Sequence, residues 1–307
     1  MSETVLYPIA LIASIVIIWK AGDAFVDSAC AISYRLGVPR VIIGLTIVSF
    51  ATTSPEFVTS VWSSLLGNVE LAYGNAVGSC IVNVGIILGL AAIIASISVE
   101  KERIFEGGAM LGMAGLVTIL AWGGLGQIGG AILFSVMIVF QILVVRRESK
   151  RRVKNEGLSV SLRNPVLLFI FGALGVVVGS RLLVYSGVGI SSSLGIPEAV
   201  IGFTLVAFGT SIPELTTAII SSLKKVPEIS LGNIIGANIL NLSWVLGAAA
   251  MINPISKVEG LLLSNLTMFA IMVALLIFMF ARRKLHRLEG AGLLGIYLAY
   301  LVGLALI

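Results

Sequence analysis

Two glutamates, Glu56 and Glu214, stand at equivalent places in two copies of one sequence motif. The copies read GLTIVSFATTSPE at 44–56 and GFTLVAFGTSIPE at 202–214, and neither contains a basic residue. An ionised carboxylate at the centre of a membrane helix costs about 2.5 to 3.5 kcal/mol on insertion scales, so two of them need compensation. A cation held between them would supply it. The duplicated carboxylate therefore indicates an ion pathway.

Further oxygen-bearing side chains accompany the two carboxylates. A second motif reads GNAVGSCIVN at 74–83 and GNIIGANILN at 232–241, and each copy ends in an asparagine. Together the motifs supply the hydroxyl and amide oxygens of Thr52, Thr210, Ser79, Ser211, Asn83 and Asn241. Calcium takes about six to eight oxygen ligands of this kind, whereas copper and zinc prefer nitrogen and sulfur. The donor set therefore favours a hard cation such as calcium.

The charge of the glutamate pair restricts what can occupy the site. Without a cation, two carboxylates brought together would share protons, because like charges oppose the ionisation of both. A divalent cation would neutralise both at once. The only histidine, His286, lies in a basic loop and lacks partner ligands, so we expect no transition-metal site there.

The composition identifies the elements that must carry these residues as membrane helices. Of 307 residues, 58% are hydrophobic and 11% charged, which is more apolar sequence than a soluble core needs. A spanning helix takes about 20 residues. Ten apolar runs of about this length lie near 5–31, 40–66, 70–97, 104–122, 126–146, 165–190, 198–223, 228–252, 259–281 and 288–306. We therefore predict an all-α, polytopic membrane protein of ten transmembrane helices in a lipid bilayer.

The chain also contains an internal repeat. Shifted by 158 residues, positions 37–89 align without a gap on 195–247, and 22 of the 53 pairs are identical. The first half has five spans, an odd number, so the second half enters the membrane with the opposite sense. We predict two inverted five-helix repeats at 1–146 and 165–307, joined by a short cytoplasmic linker at 147–164. Transporters with inverted repeats bind substrate near the midplane, where the repeats meet.

A proline precedes the glutamate in each copy. Pro55 and Pro213 end the segments 51–55 and 209–213. Proline removes a backbone donor and clashes with the preceding turn, which leaves carbonyl oxygens without partners. We therefore expect a break in both helices, with the freed carbonyls as potential cation ligands.

Small residues in the predicted helices indicate packing. The GxxxG spacings Gly74–Gly78 and Gly232–Gly236 predict close helix contacts, a role that can coexist with ion binding. Cys30 and Cys80 both fall in predicted helices, where cysteine acts as a small apolar residue, and we expect no disulfide.

Basic residues of the loops set the orientation of the chain. They fall in every second loop, at Arg35 and Arg40, Lys101 and Arg103, Arg146 to Lys154, Lys224 and Lys225, and Arg282 to Arg287. Lys257 is the only basic residue in the intervening loops. The positive-inside rule makes the basic loops cytoplasmic and places both termini outside. We predict a multi-pass protein of the cell membrane with extracellular termini, and we expect no nucleic-acid partner for the basic linker.

Charged residues also lie near the cytoplasmic end of the first helix. These are Asp23, Asp27 and Lys20, and the repeat offset pairs Asp23 with Arg181. One interpretation is local pairing or snorkelling near the membrane interface. The other is an ion vestibule or a contact that biases one access state.

The two motif pairs resemble the α1 and α2 repeats of the calcium/cation antiporter superfamily, particularly of its sodium/calcium exchanger branch. The resemblance covers the repeat cores closely and the ten-span layout generally. It implies a ten-helix fold in which the second, third, seventh and eighth helices form the ion-binding core. The first and sixth helices would slide across this core to alternate access.

The resemblance also implies a set of cation ligands. The central calcium ligands would be Glu56 and Glu214, which would also serve sodium. Hydroxyl, amide and backbone carbonyl oxygens would come from Thr52, Thr210, Ser49, Ala207, Ser79, Ser211, Asn83 and Asn241. Among these, Ser49 and Ala207 would act through their carbonyls.

Four positions depart from the family pattern. Ala237 stands where many relatives have a serine, and Asn241 stands where well-known sodium/calcium exchangers have an aspartate. Ala51 and Thr53 replace a glycine and a serine of the usual first motif. These changes leave stoichiometry, sodium selectivity and electrogenicity open.

The resemblance implies a secondary antiporter, not an enzyme, that exchanges sodium for calcium and needs no cofactor. If both ions need the same glutamates, occupancy by one excludes the other, which gives a physical reason for exchange. A proton/calcium exchanger is the alternative, because the glutamates could carry protons, but no further acidic residue follows Asn75 or Asn233 in the repeat motif. A cation channel is a second alternative. The oligomeric state is left open.

Overall fold

The computed structural model describes residues 3–101, 103–148, 164–194, 207–255 and 262–305. Ten helices make up most of these ranges. In chain order they are α1 (Glu3–Leu36), α2 (Arg40–Leu65), α3 (Val69–Ile94), α4 (Arg103–Ala121), α5 (Gln127–Glu148), α6 (Pro165–Ser193), α7 (Ile212–Leu223), α8 (Pro227–Ile252), α9 (Leu262–Arg282) and α10 (Arg287–Ala305). A short helical turn, Ala207–Gly209, precedes α7.

The helices match the predicted spans. Nine of those in the described ranges are long and apolar enough to cross a membrane. The tenth, α7, is shorter, and the first part of its predicted span, 198–206, lies outside the described residues. The predicted all-α, polytopic class is confirmed.

Two long helices, α1 and α6, occupy equivalent places in the two halves and pack along each other. Gly172 of α6 lies against Phe25 of α1, and Gly189 lies against Tyr7, so residue numbers rise along one helix as they fall along the other. The missing side chain matters at Gly172, where an added Cβ would stand 2.9 Å from the backbone of Phe25. Antiparallel packing of equivalent helices confirms that the two repeats are inverted.

The buried centre of the molecule is built from α2, α3, α7 and α8. The most apolar stretch of α8 is 89% buried, compared with 28% for α1 and 17% for α10. In α7, nine of the twelve residues are buried. The four helices that the sequence predicts as the ion-binding core are thus shielded by the others.

Helices α2 and α8 approach each other backbone to backbone. An added Cβ at Gly236 would stand 2.6 Å from the carbonyl oxygen of Leu45, and one at Gly232 would collide with the carbonyl of Val41. The packing role predicted for Gly232–Gly236 is therefore confirmed.

The equivalent spacing in the first copy gives a different result. No described atom lies within 4 Å of a Cβ added at Gly74 or Gly78. The positions that the repeat places opposite these glycines, 199 and 203, lie outside the described residues. The packing role of Gly74–Gly78 stays a prediction.

The two proline-containing segments also differ. Helix α2 continues through Pro55, so the break predicted at 51–55 is wrong. The break predicted at 209–213 is present, since Thr210 and Ser211 are not helical and α7 begins directly after them.

The position of the proline within the helix differs between the two copies. Pro55 lies inside α2, where the carbonyl of Ala51, four residues earlier, loses its usual donor. The Ser54 hydroxyl donates instead to the carbonyl of Phe50, at 2.7 Å. Pro213 lies in the first turn of α7, where a missing backbone N–H leaves no helical bond unmade.

Within the described ranges, three π-helical segments interrupt the central helices. They are Gly44–Val48 in α2, Asn83–Leu88 in α3 and Asn241–Val245 in α8. A π turn holds one more residue than an α turn, and such turns are frequent at functional sites. The asparagine that ends the second motif, Asn83 in one copy and Asn241 in the other, is the first residue of a π segment.

Short β contacts tie the connecting loops together. Strand β1 (Ile97–Ser98) pairs antiparallel with β2 (Lys284–Leu285), which joins the α3–α4 loop to the α9–α10 loop. An isolated bridge between Leu125 and Ile255 joins the α4–α5 loop to the segment after α8. The β1–β2 pair joins two basic loops, whereas the Leu125–Ile255 bridge joins two loops of the other group. Loops that the positive-inside rule groups together are thus neighbours in the structure.

Asp23 and Asp27 of α1 share a partner outside their own helix. Lys224 Nζ, directly after α7, lies 2.7 Å from Asp23 Oδ1 and 2.6 Å from Asp27 Oδ1. Partial burial by itself would lower the pKa of Lys224, but hydrogen bonds and the negative charges of both aspartates outweigh it and raise that pKa. The charged amine therefore joins α1 to the core.

Candidate cation site

Glu56 and Glu214 meet in one buried site. Glu56 lies in α2 and Glu214 in the first turn of α7, and both are fully buried. Thr53 Oγ1 donates to Glu214 Oε1 at 3.2 Å, and Ser211 Oγ donates to Glu56 Oε1 at 3.4 Å. Thr53 and Ser211 are equivalent in the repeat, so each carboxylate accepts a hydroxyl from the other half.

Four buried acceptor atoms among the predicted site residues have no donor in the described part of the chain. They are Oε2 of Glu56 and of Glu214, and Oδ1 of Asn83 and of Asn241. Burial of a charged oxygen without a partner is costly, and a bound ion is one explanation for such atoms in a native structure. Oxygens of this kind are the ligands that a hard cation accepts.

The two threonines are held by asparagines of the opposite half. Thr52 Oγ1 donates to Asn233 Oδ1 at 3.1 Å, and Thr210 Oγ1 donates to Asn75 Oδ1 at 3.4 Å. The repeat relates these two contacts to each other. A hydroxyl has one donor and two acceptor lone pairs. Each threonine therefore gives its proton to an asparagine and keeps its oxygen available to a cation.

The serines of the site are arranged asymmetrically. Ser211 Oγ, whose proton goes to Glu56, also lies within hydrogen-bond distance of Ser79 Oγ, at 3.3 Å. Thr53 has no equivalent contact, because Ala237 stands at the position that Ser79 occupies in the other half. The departure at position 237 thus removes one hydroxyl from one side of the site.

Ser49 and Ala207 are the positions at which the sequence predicts backbone ligands. The Ser49 hydroxyl donates to the carbonyls of Leu45 and Thr46 at 2.9 and 2.8 Å, so it is engaged within α2. The carbonyl oxygen of Ser49 lies 3.4 Å from Thr52 Oγ1, whose single proton the nearer Asn233 oxygen takes. Ala207 begins the helical turn before the break that precedes α7. Ser49 and Ala207 therefore lie three residues before Thr52 and Thr210.

Sequence reasoning missed three residues that hold the ligands in place. These are Thr53, Asn75 and Asn233. Asn75 also donates from Nδ2 to Ser60 Oγ at 2.9 Å. The signal that could have found them is repetition, since Asn75 is equivalent to Asn233 and Thr53 to Ser211.

The donor set has the chemistry of a hard-cation site. In the ranges that the structure describes, no three histidine, cysteine, aspartate or glutamate side chains gather to hold a metal ion. The site offers two carboxylates with hydroxyl and amide oxygens, which suits calcium or sodium. Cys30 and Cys80 are buried and free, as predicted.

Comparison with known proteins gives matches along both repeats. The model of the sodium/calcium exchanger protein family matches residues 6–146 and 164–306. An uncharacterised membrane protein of Methanocaldococcus jannaschii is 31% identical, with 94% of this chain and 95% of the relative covered. The sodium/calcium exchanger MaX1 of Methanosarcina acetivorans is 30% identical, with 95% of this chain and 96% of the relative covered.

Solved structures agree with the sequence matches. A structure of the sodium-calcium exchanger NCX_Mj, soaked with zero Na+ and Ca2+, has a TM-score of 0.89 to this chain at 28% identity. The superposition covers 98% of this chain and 99% of that one. Fold, repeat motifs and family model agree over nearly the whole length, and the chain therefore belongs to the sodium/calcium exchanger protein family.

Proposed function

We propose that the chain is a secondary antiporter that exchanges sodium for calcium by alternating access, with Glu56 and Glu214 as the ligands that both ions share. The observation that carries this proposal is the meeting of two buried carboxylates from opposite halves, each with an oxygen that no described residue satisfies. The similarity to the Methanosarcina acetivorans exchanger and to NCX_Mj supports sodium as the counter-ion.

The proposed ligands form two groups. Thr52, Thr210, Asn83 and Asn241 surround the central carboxylates with neutral oxygens. Ser79 and Ser211 complete flanking positions, and Ser49 and Ala207 add carbonyls. The orphaned amide oxygens and the available hydroxyl lone pairs support these roles.

Shared ligands explain why movement of one ion requires the other. The two carboxylates carry two negative charges, which one calcium ion or two sodium ions neutralise. A loaded site can then pass the apolar surfaces of α1 and α6 at low cost, whereas an empty, ionised site cannot, because an uncompensated charge in the membrane is expensive. Calcium extrusion is the physiological direction that we propose.

The orientation of the chain follows from the basic loops. We infer that the α1–α2, α3–α4, α5–α6, α7–α8 and α9–α10 loops face the cytoplasm of the cell. Both termini are then extracellular. The β contact between the α3–α4 and α9–α10 loops supports a common side for these two loops.

The counter-ion is tested by calcium flux in reconstituted vesicles. Vesicles loaded with sodium should take up radioactive calcium, and an imposed pH gradient without sodium should produce no uptake above the protein-free control. Valinomycin and equal potassium on both sides hold the membrane potential constant. Uptake that follows only the pH gradient would identify a proton/calcium exchanger, and uptake that needs neither gradient would identify a channel.

The Lys224 contact predicts a change in transport rate. If α1 slides across the core, the ion pairs with Asp23 and Asp27 must break. Partly exposed pairs contribute about 0.2 to 1 kcal/mol, and 1.36 kcal/mol corresponds to a tenfold rate change. The double variant Asp23→Asn/Asp27→Asn should therefore raise the maximal exchange rate up to about fivefold, with little change in the half-saturating calcium concentration.

A matched control for this contact is Lys225→Gln, which removes a neighbouring positive charge. The maximal exchange rate of this variant should stay within about twofold of the unmodified protein. An equal acceleration in both variants would show that the rate does not depend on the Lys224 contact.

A further inference from the structure

A further difference between the two halves of the site lies at a fully buried position. Asn238 in α8 is the counterpart of Cys80 in α3, and both side chains are fully buried. Asn83 Nδ2 donates to Asn238 Oδ1 at 3.1 Å. Asn241 is the counterpart of Asn83, yet neither polar atom of its side chain has a hydrogen-bond partner in the described part of the chain.

A sulfur atom sets the orientation of the Asn238 amide. Asn238 Nδ2 donates to Met110 Sδ, in α4, at 3.4 Å. A thioether sulfur accepts hydrogen bonds but cannot donate them. The NH2 group of Asn238 therefore faces α4, and its oxygen is left for Asn83.

The Asn238 oxygen in turn sets the orientation of the Asn83 side-chain amide. The oxygen of Asn238 can only accept, so Asn83 must present its own NH2 group to Asn238. Asn83 Oδ1 consequently points away from this contact, and it is one of the buried acceptors without a donor. Met110, Asn238 and Asn83 thus form a relay that selects the amide orientation useful to a cation.

The second half cannot build this relay. Cys80 Sγ donates to the backbone carbonyl of Asn238 at 3.7 Å and offers no amide oxygen to Asn241. The repeat offset places Met268 at the counterpart of Met110, and Met268 is fully buried. The sulfur is therefore present in both halves, and the amide between sulfur and ligand is missing from one.

We propose that Asn238 is a positioning residue, which fixes the Asn83 amide with its oxygen toward the transported cation, whereas Asn241 lacks this support. The inference rests on the proposed function, because it takes Asn83 as a cation ligand. A ligand that is already oriented loses less freedom when the ion binds. Asn83 therefore contributes more to cation affinity than Asn241 does.

The first test removes the acceptor of Asn238 with an apolar side chain that branches at the same carbon. Asn238→Leu is assayed by sodium-driven uptake of radioactive calcium into vesicles. We expect KM for calcium to rise about tenfold, the effect of losing one buried hydrogen bond, while kcat falls less than about twofold. Met110→Leu, a substitution that cores tolerate well, should raise KM about threefold. An unchanged KM in both variants would overturn the proposal.

The internal repeat allows a sharper test, in which the relay is moved to the other half. In the natural sequence, Asn83→Ala should raise KM more than Asn241→Ala. In the background Cys80→Asn/Asn238→Cys, Met268 should orient the new asparagine toward Asn241, and the order should reverse. A purely structural role for Asn238 does not predict a reversal, so an unchanged order would contradict the proposal.

The failure of this inference is distinguishable from failure of the proposed function. If the chain is not a sodium/calcium exchanger, the unmodified protein takes up no calcium in exchange for sodium. If only the relay is wrong, the unmodified protein exchanges sodium for calcium normally. Asn238→Leu and Met110→Leu then have the same KM for calcium as the unmodified protein. Equilibrium binding of radioactive calcium to the purified protein gives the same ranking without depending on transport.

Discussion

Replacement of either Glu56 or Glu214 by glutamine is expected to abolish sodium-driven calcium uptake. Glutamine keeps the shape of the side chain but removes one of the two negative charges, so a bound calcium ion would keep an uncompensated charge in a buried site. Breaking a buried charge pair costs about 3 to 5 kcal/mol, which corresponds to a loss of about a hundredfold or more. The measurement is uptake of radioactive calcium into sodium-loaded vesicles.

A matched control for the glutamine variants is Glu70→Gln. Glu70 is exposed in the first turn of α3, outside the site. This variant loses the same charge and should exchange within about twofold of the unmodified protein. Coupled exchange retained by Glu56→Gln or Glu214→Gln, in vesicles with equal protein content, would refute the ligand assignment.

Gly232→Ala is expected to produce the second large effect. The added methyl group would collide with the carbonyl of Val41, because α2 and α8 touch through their backbones at this point. Overpacking typically costs about 1 to 3 kcal/mol, and a backbone contact cannot be relieved by a change of rotamer. Any shift of α2 also displaces Glu56. We therefore expect either loss of folded protein or a fall in exchange rate of at least about tenfold.

Gly112→Ala in α4 is the control for this substitution. Gly112 is exposed, and no described atom lies within 4 Å of an added Cβ. Size-exclusion profile, melting temperature and calcium uptake of this variant should match those of the unmodified protein. If Gly232→Ala is equally well tolerated on all three measurements, α2 and α8 do not pack as described.

The parts of the fold that the sequence predicts well depend on long, redundant signals. Ten apolar runs locate the helices, and an odd number of spans per repeat dictates inversion, which the antiparallel packing of α1 and α6 confirms. Glu56 and Glu214 could be singled out because an acidic residue in an apolar helix is costly wherever it lies. Their meeting follows from the inversion alone.

Other features depend on single contacts that no periodicity reports. Helix α2 continues through Pro55, whereas α7 begins at Pro213, although both copies place a proline directly before the glutamate. The π segments that begin at Asn83 and Asn241 leave no trace in the hydropathy pattern. Lys224 lies about two hundred residues from its aspartates in the chain, so its pairing required the structure.

The proposed role of Asn238 could not be predicted from the sequence for a third reason. In the sequence it is one asparagine among several in the repeat motif, and its counterpart is a cysteine. Its proposed role appears only when the two contacts of its amide group are read together. Differences between the two copies of a repeat are therefore as informative as their identities, once coordinates show what each copy contacts.

Crystals grown with calcium will show by anomalous scattering whether one hard cation lies between the carboxylates from opposite halves. We expect an anomalous difference peak within about 2.3 to 2.6 Å of oxygens from both Glu56 and Glu214. Sodium in excess should remove the peak. A calcium peak that contacts only one of these carboxylates, or lies elsewhere in the protein, would contradict this placement of the cation.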